Sequence, residues 1–63
     1  MHPSTEAILR FFTYDHLPAN LQEVSKPFHD IAHDMAGRFE GAELTTGLRK
    51  LLEAKDCMVR AAL

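Results

Sequence analysis

The chain has 63 residues, 46% apolar and 25% charged, with seven Lys/Arg against nine Asp/Glu for a formal charge of −2. One small domain is all that length admits, and it hides only about 60% of the surface its unfolded form exposes, so assembly into a homo-oligomer is expected. The acidic balance excludes a coat for polymeric DNA or RNA, and the single cysteine, Cys57, excludes a disulfide framework or a multi-cysteine zinc site. A lone thiol fits a reducing compartment, so a cytoplasmic setting is expected. Nothing approaches the ~20 apolar residues that span a bilayer, and no basic n-region precedes an apolar stretch, so neither a membrane partner nor a secretion signal is expected.

The predicted fold class is all-α, a single helical-hairpin domain over residues 1–63. Its parts are an N-terminal arm over 1–18, a kinked helix over 20–39 and a C-terminal helix over 43–62. Ser4 or Thr5 can cap a short first helix that carries Ile8, Leu9, Phe11 and Phe12 to Thr13, with Glu6 in its first turn. Tyr14-Asp15-His16-Leu17-Pro18 interrupts it, because Pro18 biases Leu17 away from helical dihedrals. From Asn20, an N-cap candidate with Glu23 three residues on, the residues Leu21, Val24, Phe28, Ile31, Met35 and Phe39 recur at spacings of three and four and read as one apolar stripe. Pro27 lies inside that stripe, so a kink or a new helix start capped by Ser25 is expected.

Gly37 and Gly41 mark a tight turn. Leu44, Leu48, Leu51, Leu52, Met58, Val59 and Ala62 then fall largely on one side of the last helix, which should fold back on the second as an antiparallel pair. Gly47 weakens that helix by roughly 1 kcal/mol relative to Ala, and close approach of another backbone would account for it.

Enzymatic chemistry finds no constellation: there is no nucleophile elbow and no glycine-rich phosphate loop. Cys57 lacks a helix N-terminus or a cationic setting and reads as a packed, inert thiol. The expectation is a protein that is not an enzyme and carries no cofactor. His29 and His33 stack on one helix face, with Asp30 and Asp34 repeating the spacing, but the run lacks a full ligand set and the glutamate of the zinc protease motif. It reads as a solvated face in which histidines and carboxylates pair, and no metal is expected.

Binding chemistry is better represented. Tyr14, in a loop beside Phe11, Phe12, His16 and Pro18, can stack a planar ligand, and a stacked base is worth about 1–3 kcal/mol. The competing reading makes Phe11 and Phe12 core and Tyr14 its cover. Lys26, beside the helix break at Pro27, can meet a phosphate. Arg60, among Val59, Ala61 and Ala62, can make a bidentate phosphate contact, or else snorkels at the surface.

Two segments carry a resemblance. Phe12-Thr13-Tyr14-Asp15-His16-Leu17-Pro18 ahead of a helical hairpin, followed by Leu48 through Ala62 with Glu53-Ala54 and Arg60-Ala61, resembles the small phage-encoded anti-CBASS sponges of the second type, related through their hairpin to one of the Thoeris anti-defence sponges. That resemblance implies a compact helical chain assembled into a symmetric oligomer, with a hexamer favoured, that sequesters cyclic oligonucleotide messengers of a host defence system and cleaves nothing. It places Tyr14 at the aromatic that stacks on a base in cyclic dinucleotide pockets and Arg60 at the arginine of a separate cyclic trinucleotide site. For the phosphate lysine, counting from Tyr14 falls on His29 while the nearest lysine is Lys26, and both stand as candidates. Lys55 and Asp56 occupy positions where the family has an apolar or aromatic residue before the arginine.

The ligand-binding set expected from residues and resemblance together is Tyr14, Lys26, His29, Arg60, Phe12 and His16, serving cyclic di- or trinucleotides in the cytoplasm of a host cell. The alternative is a helical interaction module that engages a partner protein through Leu48, Leu51, Leu52 and Met58.

Overall fold

A computed structural model describes residues 2–63, which form three helices and no strand. The first, α1, spans Pro3–Leu9. It begins one residue ahead of the expected caps, because Pro3 presets a helical φ at the first position and the His2 ring does the capping, its Nδ1 accepting from the Ser4 amide at 3.1 Å. A tighter 3-10 turn follows over Arg10–Phe12, ending where Thr13 bonds back to the Arg10 carbonyl through its amide (3.3 Å) and its hydroxyl (2.8 Å). Three residues per turn set neighbours about 120° apart, which separates the two phenylalanines. Phe12 is fully buried, while Phe11 is 63% exposed and is not core.

The second helix, α2, runs unbroken over Ala19–Arg38. Asn20 is not its cap. The Pro18 carbonyl accepts from the Leu21 and Gln22 amides at 2.9 and 3.0 Å, and the chain is helical from Ala19 on. No second start occurs at Ser25, whose hydroxyl is buried without a hydrogen-bond partner instead of capping anything. Pro27 removes the amide that would reach the Glu23 carbonyl, but both residues are on the exposed side of the helix, and the helix continues through them.

Phe39 turns the chain to extended backbone, Gly41 takes a φ of 105° that side-chain-bearing residues rarely adopt, and α3 follows over Ala42–Ala61. The short link makes α2 and α3 an antiparallel hairpin, across which α1 and the 3-10 turn lie.

The face that α2 buries matches the expected stripe only in part, with Val24 and Met35 half-buried as expected. Leu21, Ser25, Ala32 and Ala36 are buried and Phe28 is partly so, whereas Ile31 and Phe39 are 45% and 59% exposed. Small side chains at Ser25, Ala32 and Ala36 admit the neighbouring elements closely, and this rotates the larger residues out of the seam. Leu9, Phe12, Ala32, Ala36 and Leu48 form the core, flanked by Ile8, Phe28, Leu44, Leu51 and Leu52. Along α3, Leu48 is buried but Met58 is 51% exposed, so the last turns of that stripe leave the core. A Cβ added at Gly47 would meet nothing within 4 Å, so no close approach within the chain explains that glycine. No helix is long and apolar enough to cross a membrane among the described residues.

Candidate functional site

Two faces gather the polar side chains, and the segment from Phe11 to Leu17 borders both. The first is built where that loop meets the middle of α2. The loop is closed by the Leu17 amide donating to the Tyr14 carbonyl at 3.0 Å. It is tied to α2 by the Gln22 side-chain amide, which donates to the Leu17 carbonyl at 2.8 Å and reaches the Asp15 carbonyl at 3.4 Å. So held, the half-buried Tyr14 ring meets the His29 ring edge-on, with centroids 5.0 Å apart and planes at 75°. Edge-to-face pairs of this kind are favourable because the positive ring edge meets the negative face of its neighbour.

His29 is constrained from two further sides. Its Nδ1 lies 3.0 Å from Asp30 Oδ1, the geometry of an imidazole N–H donating to a carboxylate, and its ring packs against His33 with centroids 4.2 Å apart. Asp30 also accepts from Lys26 Nζ at 2.9 Å, one helical turn earlier. That hydrogen bond and charge, with the nearby Tyr14 oxygen adding in the same sense, hold the Lys26 ammonium above its ordinary 10.5. The hydrogen bonds from Lys26 and His29 hold the Asp30 carboxyl below the usual carboxylate range. His33 is pushed below 6.5, first by partial desolvation and then by the neighbouring His29. An open cleft of about 290 Å³, lined by Thr13, Tyr14, Asp15 and His29, faces solvent beside this ladder. An aromatic ring, an imidazole and an ammonium thus share one side of the molecule.

The second face lies between the 3-10 turn, the loop and the end of α3. Here an open groove of about 380 Å³ is bordered by Arg10, Phe11, Thr13, His16, Lys55 and Arg60. Arg10 and Arg60 face solvent, whereas the Lys55 side chain is 13% exposed and doubly engaged. Its ammonium donates to the Phe11 carbonyl at 2.9 Å and pairs with Asp56 at 3.0 Å. Cys57 is exposed, contrary to the packed thiol expected from its neighbours, because it falls on the outer side of α3. Arg60 Nη2 lies 3.4 Å from its sulfur.

The six expected site residues therefore separate. Tyr14, Lys26 and His29 lie together on the first face, and His16 and Arg60 lie together on the second. Phe12 belongs to neither: it is fully buried in the core beneath the loop and offers no face to a ligand. The His29–Asp30 pair is of the kind expected of this face, but the link from Asp30 to Lys26 was not read from the sequence, although the four-residue spacing could have suggested it. Gln22 and Lys55 clamp the loop, and Lys55 acts on a residue 44 positions away, which no local pattern signals.

No group of three or more His, Cys, Asp or Glu able to hold a metal occurs among the described residues. No family model, no curated protein and no solved structure matches this chain.

Proposed function

We propose that this protein is a non-catalytic binder that withholds cyclic oligonucleotides, principally cyclic dinucleotides, as the antagonist of a CBASS-type antiphage signal in the cytoplasm of a host cell. The observation that carries this reading is the Tyr14–His29 edge contact with Lys26 one turn away, an aromatic surface and a cation within one ligand's span. A cyclic dinucleotide presents two flat bases and two phosphates, so it calls for paired stacking surfaces and few cations, which a chain of net charge −2 can supply. A single chain offers one such surface and an open cleft. Two copies related by symmetry supply the second, so the ligand lies between subunits of a homo-oligomer, with a hexamer favoured. The Arg60 and His16 groove is the place for a larger cyclic trinucleotide, where exposed guanidinium groups give bidentate phosphate contacts.

Isothermal titration against a panel of cyclic di- and trinucleotides tests the proposal, with the mass of the assembly measured on the same sample. Saturable heat at micromolar concentration and an oligomeric mass are the expected results. A monomer that gives no heat with any of them discards the reading.

A second reading is a helical interaction module. The apolar groove between α2 and α3, where Ile31, Met35 and Phe39 face Leu44 and Leu51 across Gly47, favours it, in place of the Leu48-to-Met58 stripe that is partly used by the core. That reading requires a stable monomer whose Phe39 side is covered only when a different protein is added.

A further inference from the structure

The Tyr14 loop is short and mostly exposed, yet both of its ends are tied to other elements. Gln22 of α2 holds the exit through the Leu17 carbonyl. The entrance is held from α3: the Phe11 carbonyl, at the C-terminal end of the 3-10 turn, receives Lys55 Nζ at 2.9 Å. That carbonyl carries part of the negative end of the turn's dipole, and a charge-assisted hydrogen bond is the strongest partner available to it. Asp56 fixes the same ammonium from the other side at 3.0 Å, and burial of the stem to 13% exposure leaves Lys55 little freedom. Only Phe12 and Thr13 separate the clamped carbonyl from Tyr14, and Phe12 is locked in the core.

We infer that Lys55 is a positioning residue, which, by holding the Phe11 carbonyl on α3, sets the Tyr14 ring against His29 and so presents the stacking surface in one orientation. The inference rests on the reading of Tyr14 as that surface. It also removes Lys55 from the cations free to meet a ligand in the neighbouring groove, where Arg10 and Arg60 remain.

The test is the contact between the Tyr14 and His29 rings in the full chain without nucleotide, followed by proton cross-relaxation in NMR; Tyr14 is the only tyrosine, so its signals are unambiguous. Lys55→Met keeps the aliphatic stem and removes the donor. It is expected to abolish the ring-to-ring signal while helical circular dichroism stays unchanged, and Lys55→Arg, which restores a cationic donor, is expected to keep it. An unchanged ring contact in Lys55→Met overturns the inference, whatever the protein binds. Should Lys55→Met lose its helices, the unmodified chain decides: a through-hydrogen-bond coupling between Lys55 Nζ and the Phe11 carbonyl carbon is expected, and its absence overturns the inference. With a cyclic dinucleotide as probe, Lys55→Met is expected to weaken binding about tenfold through the misplaced stack, and Lys55→Arg to bind as the unmodified chain does. If the ring contact is lost but the unmodified chain binds no nucleotide, the sponge reading fails and the positioning role of Lys55 stands.

Discussion

Lys26 and Asp30 stand one turn apart on α2 with Nζ and Oδ2 at 2.9 Å, and at the proposed site this pair is what a ligand phosphate would meet. The lysine is charged at any pH near neutrality, its proton held more firmly by Asp30. The same carboxylate, kept ionised by Lys26 and His29, repels an anion and competes with it for the ammonium. Asp30→Asn removes the competitor and leaves the cation. Tighter binding of a cyclic dinucleotide by that variant is expected in titration calorimetry, and Lys26→Met should weaken it. Equal affinities for all three proteins would place the phosphate elsewhere.

Tyr14 supplies the aromatic surface of the proposed site, and it is half-buried in a loop outside the core. Tyr14→Ala should cost about 1–3 kcal/mol of dinucleotide affinity, the worth of one stacked base, while the mass of the assembly and the thermal transition stay the same. Tyr14→Phe keeps the ring and should retain most of the affinity. Calorimetry on both variants separates loss of the ring from loss of the hydroxyl.

The depressed pKa of His33 has a consequence for stability. In the folded chain partial desolvation and the His29 charge hold it below 6.5, whereas in the unfolded chain it titrates at the ordinary value. As pH falls, the unfolded state takes up the proton first, so the contribution of neutral His33 is complete above the ordinary value and is lost as pH drops below it. Melting temperature should therefore decline from about pH 7 to about pH 5, and His33→Gln should flatten that decline. An NMR titration of His33 should give a midpoint below 6.5 that moves up in His29→Gln.

Phe11 and Phe12 are neighbours in sequence with opposite surroundings. Truncating the fully buried Phe12 to Ala should cost about 3–5 kcal/mol, enough to unfold a chain with so thin a core, because the cavity lies among Leu9, Ala32 and Leu48. Phe11→Ala, at a residue 63% exposed, should shift the thermal transition little. Urea unfolding of the two variants measures the contrast.

Three helices joined by a short loop and a tight turn were legible because each depends on nearby residues: Pro18 before α2, Gly41 before α3, and apolar spacings of three and four along both. The N-terminus of α2 was misread because Asn20 and Ser25 have the chemistry of caps, while the backbone carbonyl of Pro18 already accepts the first amides. The inward side of α2 was read correctly at Leu21 and Phe28 but misread in its second half, for a different reason. Hydrophobicity ranks Ile31 and Phe39 above Ala32 and Ala36, but closely packed helices select for fit, and the small residues form the seam.

For the candidate site, the sequence by itself determined the chemical inventory: an aromatic in a loop, two histidines and two aspartates at four-residue spacing, and a lysine beside the proline of α2. Those properties reside in side-chain types and in the helical repeat. Only the tertiary structure decided their grouping, bringing Tyr14 onto His29, sinking Phe12 into the core, and moving Arg60 and His16 to a separate groove. It alone joined Lys55 to Phe11 across 44 residues, since a contact between distant segments depends on how helices pack and not on any local preference of the chain.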